Sequence, residues 1–483
     1  MIVDFRPHAR LRDRVPRDIT GSVSPVLEAL GEERADLARV RLVYDWVQYR
    51  ENFRDVVDVR PILSRAAPGD DAFEVAVDVR RGAGLPLREL TAERLREKAG
   101  DVVFLEDWGP TRESRIWDFN TMYWSALRSW EEASGQEYEQ ALPGGRSDAR
   151  NRDAAADVIR DLFAVWDRLA DTGALPEELY VVELGVGNGN QARVFLDVFR
   201  DLDHVHGRGY YDRLRYLMCD YSQHVLDLAR ENVAGHAARV ASYVAEASRP
   251  CDVLGFLRGR VFLVYVSNVY DNLPTDEVAH LAGRTYRVET RACLPATGAA
   301  ELAAALSASP VEIPALVGEL LRLGPDGLAA ATPELFPGVA AAVDFWRRTW
   351  SMLRLKERYV PLGALDLYAL APSVSGEMLR PLLESGGDIR MHVSNGALAG
   401  FVDSLTLLHP FGMLVCHDLF VTDVQGYRTG FRGPGKYDGS VVNWVNGPLL
   451  AHVGRRMGFD VRFTPFRHTG GGNIVTLTAQ VGD

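Results

Sequence analysis

Along the middle of the chain, short apolar runs alternate with stretches whose apolar residues recur every three or four positions. The run Tyr180-Val181-Val182-Glu183-Leu184 follows Pro176 and leads into glycines, so it predicts a strand buried on both faces. The same reading predicts strands at 216–220, 240–244, 261–266 and 413–416. Between them, Phe195, Val198, Phe199 and Leu202 mark one helix face, and Val225, Leu226, Ala229 and Val233 mark another. Ser222 is placed to cap the second of these helices, and an earlier helix carries Val158, Leu162, Val165, Trp166 and Leu169. Strands alternating with helices predict a doubly wound, mostly parallel sheet. Near the end, a helix with Leu449, Leu450, Val453 and Met457 stops at Gly458. The apolar runs 459–463 and 474–478 are then too close for a helical crossover, which predicts a terminal antiparallel hairpin.

The flanking regions read differently. A helix is expected over 33–49, with Leu37, Val40, Val43 or Tyr44, and Val47 at helical spacing, and strands at 73–79 and 102–105. Trp117, Phe119, Tyr123, Trp124 and Trp130 crowd one expected helix as a packing stripe, and the polar run 134–153 reads as a linker. The Ala- and Leu-rich stretch 288–400 is expected to be a helical insertion above the sheet's carboxyl edge. The expected organisation is therefore a mixed α/β N-terminal domain (1–150), a seven-stranded Rossmann-like core in two parts (151–287 and 401–483), and a helical lid (288–400). No internal repeat stands out.

Composition narrows the function classes. Of 483 residues, 47% are hydrophobic and 25% charged, which fits an ordinary soluble globular chain. The net charge of −12 argues against a nucleic-acid backbone binder. Cys219, Cys251, Cys293 and Cys416 are scattered without a CxxC pair, so neither a metal cage nor a disulfide framework is expected, and a reducing cytoplasm fits best. The first residues lack a signal-peptide pattern, and no window reaches the roughly 20 apolar residues of a membrane span.

The strongest chemical signal is Glu183-x-Gly185-x-Gly187-x-Gly189, lying between a strand and a helix. Glycines there let the backbone turn sharply and approach a ligand closely. The dinucleotide pattern GxGxxG would need glycine at 190, where the chain has Asn190. With the terminal hairpin, this spacing points to S-adenosylmethionine (SAM) as cofactor rather than a nicotinamide. Asp220 ends the next strand, beside Tyr221, where a carboxylate can accept both ribose hydroxyls. Glu246 and Ala247 follow the third strand and are candidates to face the adenine, with a solvated surface acid as the competing reading of Glu246. Asn268, Tyr270 and Asp271 follow the fourth, where cofactor and acceptor meet, although Asp271 also reads as a helix cap. His417 and Asp418 end the fifth strand, and with Asp271 they are the candidate proton acceptors, although a lone histidine such as His417 also reads as structural. Tyr427, Arg432 and Lys436, in or beside a Gly-rich loop, are candidate acceptor-binding residues; a plain solvated turn is the competing reading. The stretch His468-Thr469-Gly470-Gly471-Gly472 reads as hairpin chemistry rather than a phosphate cradle.

These motifs, in order, resemble the MidA-like family of SAM methyltransferases, relatives of mitochondrial complex I assembly factors. The resemblance rests on the ELGxGxG stretch from Glu183 to Gly189, the passage from Tyr211 through Tyr216 to Asp220-Tyr221-Ser222, Asp271-Asn272-Leu273-Pro274, and Gly412 through Asp418. It implies methyl transfer to protein arginine. The chain departs from the family at Ser267-Asn268 and at Asp418-Leu419-Phe420, where an acceptor would sit, and residues 1–150 show no match. The expectation is thus methyl transfer to a nitrogen or oxygen of a protein or a small molecule, with a non-catalytic SAM-binding assembly scaffold as the remaining alternative.

Overall fold

The computed structural model describes residues 2–6, 19–45, 47, 49, 51–64, 72–135, 152–428, 433–468 and 473–482. Among them, seven strands build the expected sheet: β1 (Leu179–Leu184), β2 (Leu214–Asp220), β3 (Val240–Val244), β4 (Val261–Ser267), β5 (Leu408–Asp418), β6 (Phe459–Pro465) and β7 (Val475–Val481). Their spatial order is β3-β2-β1-β4-β5-β7-β6. The first five pair in parallel, and β7 runs antiparallel to both β5 and β6. The chain direction across the sheet reverses between β1 and β4, which opens a crevice at their carboxyl ends.

The core follows from the strand period. Val182 and Leu184 pack on one face with Phe401, Leu449 and Leu450, from the helices Asn395–Leu405 and Gly447–Arg456. Leu179 and Val181 pack on the other with Trp166, Phe195 and Phe199, from the helices Arg152–Asp171 and Asn190–His206. Both faces are covered, which is why these strands read as unbroken apolar runs.

A second sheet lies outside this core. Its main path is Ile2–Arg6, Val40–Asp45, Ala72–Asp78, Val57–Ile62, Arg354–Pro361, Arg284–Pro295, Glu277–Leu281 and Ile389–His392, with Val102–Phe104 and Gly109–Pro110 pairing to Arg284–Pro295. Strands from the N-terminal region and from the insertion thus share one sheet. The helix expected over 33–49 does not form: a helix occupies Ile19–Glu32, and all six residues of Val40–Asp45 are buried in a strand. A strand covered on both sides loses its period-two alternation, so Leu37, Val40, Tyr44 and Val47 imitate a helical stripe.

The insertion is not all-helical either. Helices Ala296–Leu306, Ile313–Ala331 and Val339–Met352 are present, but Arg284–Pro295 and Arg354–Pro361 run antiparallel as strands. Along the latter, Leu355, Glu357 and Tyr359 are buried and Arg354, Lys356 and Arg358 are not, the alternation of a half-covered strand. The expected aromatic helix is two, Arg115–Ser125 and Leu127–Ser134, and its Trp117, Phe119 and Trp130 pack against Trp346 and Trp350 of the insertion. Most of the polar run 134–153 lies outside the described residues. Among those described, no single helix is long and apolar enough to cross a membrane.

The buried face of the second sheet is charged. Arg54 meets Glu277 at 3.2 Å and also Glu357; Arg60 meets Glu74 at 3.0 Å and Glu357 at 3.0 Å; Arg390 meets Glu357 at 2.9 Å and also Glu277. Burial costs each ion several kcal/mol, on the order of what close opposite charges return, so such a network persists only when every member is matched. Arg54 also donates to the Gly433 carbonyl at 3.1 Å, fixing the loop that leads toward the crevice.

Candidate functional site

The turn after β1 takes its shape from three glycines. Gly185, Gly187 and Gly189 have φ of 72°, 54° and 78°, a left-handed region unfavourable to residues with a Cβ. A Cβ on Gly189 would lie 2.8 Å from the Ala229 Cα, on a backbone that has no freedom to withdraw. The Gly185 and Val186 amides donate to the Cys219 carbonyl at 2.8 and 3.1 Å, tying the turn to β2. Gly189 then caps the helix Asn190–His206, whose N-terminus faces the crevice side of the turn.

Asp220 completes this arrangement from β2. Its carboxylate accepts from the Gly187 amide at 3.3 Å and the Ser222 amide at 3.1 Å, and remains partly exposed. Burial raises its pKa to about 6, while the amides of Ser222, Gly187 and Tyr221 pull the other way. Ser222 caps the next helix as expected, accepting from Val225 at 3.4 Å. Glu183 lies beneath the turn, buried, and accepts from the Tyr216 hydroxyl at 2.6 Å. Burial raises its pKa to about 8, with the Asp220 charge adding to the rise and the Tyr216 bond opposing it. Its place is therefore support of the turn from below.

Tyr221 reaches away from the sheet, its hydroxyl 3.5 Å from the Thr121 carbonyl on the helix Arg115–Ser125. Glu246 is exposed and paired with Arg249 at 3.0 Å, so its carboxylate is engaged on the surface. Ala247 packs its carbonyl where a Cβ on Gly400 would stand, 2.2 Å away. Asn268, at a φ of 51°, turns the chain out of β4 and donates its amide to the His417 carbonyl at 2.9 Å.

At the ends of β4 and β5 two carboxyls meet. Asp418, fully buried, accepts through Oδ2 from the amides of Val269 (3.2 Å), Tyr270 (2.8 Å) and Asp271 (3.4 Å), and through Oδ1 from Leu419 (2.7 Å). Asp271 is buried too, holds the Asn272 side-chain amide at 2.7 Å, and is hydrogen-bonded to Asp418. Burial and then the Asp418 charge drive the Asp271 pKa well above the carboxylate range. Burial raises Asp418 to about 6 against its four amide donors. The pair shares a proton, and the four amide donors favour the anion on Asp418. Tyr49 and Trp444 stand beside it; the Trp444 indole donates to the Tyr49 hydroxyl at 3.2 Å, and the charges of Asp271 and Asp418 both act on Tyr49. Sequence reasoning missed Tyr49 and Trp444, since nothing local to them marks proximity to the crevice.

Other expected site residues are placed elsewhere. His417 follows Val415 onto the opposite face of β5 from Asp418, with Nδ1 at 2.9 Å from Thr476 Oγ1, and burial lowers its pKa to about 4. It is not brought together with the carboxyl pair. Asp271 does not cap a helix; its side chain is taken by Asn272 and Asp418. Tyr270 and Tyr427 are buried in the apolar cluster under the crevice, so they pack rather than present a binding surface. Lys436 is buried, donating to the carbonyls of Trp350, Ser351 (3.1 Å) and Leu353 (2.9 Å), over the rings of Phe53 and Trp350. It closes the end of the helix Val339–Met352 and has no proton left for a substrate anion. Arg432 lies outside the described residues, as do 469–472 of the expected hairpin turn.

No family model matches the chain, and no curated protein does. Solved structures do resemble it. One is a COG1565 superfamily member from Burkholderia thailandensis bound to S-adenosyl-homocysteine, at 13% identity over 77% of this chain and 88% of that one, TM-score 0.43. A second is an uncharacterised COG1565 superfamily protein of the same organism, at 15% identity over 72% and 79%, TM-score 0.39. A third is DszA carbon methyltransferase, at 12% identity over 95% and 88%, TM-score 0.33. At these scores the likenesses do not bear on activity.

Proposed function

We propose that this chain is a SAM-dependent methyltransferase acting on a nitrogen or oxygen nucleophile. The observation that carries the reading is the glycine turn after β1, held to the Asp220 carboxylate through Gly187, at the point where the sheet order reverses. The turn brings backbone amides close to a ligand, and the partly exposed Asp220 has acceptor capacity left for ribose hydroxyls. SAM supplies an activated methyl group, so the protein mainly has to align the acceptor with it. Asn268 stands where that acceptor would enter, and the buried Asp271–Asp418 pair would hold the loop beside it in place.

The MidA-like resemblance favours protein arginine as acceptor. The burial of Asp271 and Asp418 beside Tyr49 instead favours a small-molecule acceptor. Calorimetry checks the cofactor: SAM and S-adenosylhomocysteine bind, NADH does not, and Asp220→Ala weakens S-adenosylhomocysteine by about 10-fold or more, as expected for a lost charge-assisted bond. Unchanged affinity in that variant would remove Asp220 from the site. Methyl-labelled SAM with a cell lysate sorts the acceptors by whether label enters macromolecules or a small-molecule fraction. No transfer would favour a binding scaffold.

A further inference from the structure

One side chain at the crevice joins three stretches of chain remote in sequence. Asn120, on the helix Arg115–Ser125, is 6% exposed. Its Nδ2 donates to the Asn272 carbonyl at 2.9 Å, and its Oδ1 accepts from the Val441 amide at 2.8 Å. The amide has only one workable orientation, because a carbonyl only accepts and a backbone N–H only donates. Two residues beyond Val441, the Asn443 amide donates to the Asp271 carbonyl at 2.9 Å. These bonds close a ring from Asn120 to Asn272, along the chain to Asp271, across to Asn443, back to Val441 and so to Asn120. The Asp271 carboxyl is held from within it by the Asn272 side chain. The next residue on the helix, Thr121, receives the Tyr221 hydroxyl from the loop after β2. Adjacent residues of one helical turn therefore touch the loops on both sides of the crevice.

We infer that Asn120 is a positioning residue for methyl transfer, fixing Asp271 and the antiparallel pair Gly435–Tyr437 and Ser440–Val442 beside it to the helix Arg115–Ser125. The inference rests on the methyl-transfer reading. Its chemical content is that the carboxyl pair is aligned by a side chain from outside the SAM-binding core. Small misplacements of reacting groups cost on the order of 100-fold in rate, so loss of this tie acts on turnover before cofactor affinity.

The test uses the full chain with S-adenosylhomocysteine bound and follows hydrogen–deuterium exchange. Asn120→Ala should speed exchange in both 269–273 and 440–443. Ile116→Val, a core change on the same helix, should leave both unchanged. Should Asn120→Ala fold poorly, Asn120→Asp keeps an acceptor for Val441 and lacks the donor at neutral pH, so it should loosen 269–273 alone. Exchange unaltered in the folded Asn120 variants would overturn the inference by itself. In methyl transfer from labelled SAM to the accepting lysate fraction, Asn120→Ala should lower the rate at least 10-fold and move the midpoint of its pH profile. Its S-adenosylhomocysteine affinity should stay within twofold. An unchanged rate and pH profile would make Asn120 merely structural and also overturn the inference. Wild-type protein that moves no label would overturn the methyl-transfer reading and, with it, the catalytic half of this inference.

Discussion

Asp271 and Asp418 are one residue type in contact, yet their hydrogen bonds give them opposite demands. Asp418 accepts at both oxygens, and Asn in its place would aim an NH2 at an amide N–H. Asp271 holds the proton, and Asn reproduces a donor there. Asp418→Asn should therefore cost about 2–3 kcal/mol, and Asp271→Asn much less, by urea denaturation at pH 7. Both folded-state pKa values lie above the unfolded ones, so the stability these groups contribute is full below about pH 4 and is lost as pH rises through about 6 for Asp418. Tm of the wild type should fall as pH rises from about 4 through 6, and Asp271→Asn should flatten that fall. A residue's type was legible in the sequence, but its direction was not. Asp220 could be placed because the strand before it and Ser222 after it fix its position. His417 could not be separated from Asp418, since facing depends on which covering helices each side of β5 meets.

Elements were legible where covering and period agree. β1 through β5 read correctly because apolar runs ending in turn residues leave little choice, and the hairpin of β6 and β7 because its spacing excludes a crossover. Val40–Asp45 misled because full burial erased its alternation. Lys436 misled for another reason: the carbonyls it closes belong to Trp350, Ser351 and Leu353, more than 80 residues earlier. Glycine neighbours advertise a free loop, and only the tertiary fold reveals a helix end above it. Lys436→Met should therefore act as an element-level lesion. It should lose about 2–3 kcal/mol in denaturation as those carbonyls go unmet, with S-adenosylhomocysteine affinity unchanged in calorimetry. A variant that kept its stability and lost affinity would restore the substrate-clamp role.

At the scale of the whole molecule, the charged face of the second sheet joins regions that composition alone would keep apart. Glu357 comes from the insertion and meets Arg54 and Arg60 from the N-terminal region, all deeply buried. Removing it takes one carboxylate partner from each of three buried cations, Arg54, Arg60 and Arg390, so Glu357→Ala should destabilise the protein by about 3–5 kcal/mol in chemical denaturation at pH 7. The exposed ion pair of Glu246 with Arg249 is the contrast: Glu246→Ala should change stability by less than about 1 kcal/mol in the same measurement.

That shared sheet also sets a timetable. The strand Val57–Ile62 must wait for Arg354–Pro361, which emerges from the ribosome nearly 300 residues later. At about 5–20 residues per second the wait is roughly 15–60 s. Through it, Val57–Ile62 presents an open edge, the kind of surface that invites pairing with a neighbouring chain. Asp58 and Arg60 lie on that edge and Arg54 just before it. Charged side chains are the residues that discourage such pairing at an edge, and in the folded protein Arg54 and Arg60 meet Glu357 of the arriving strand.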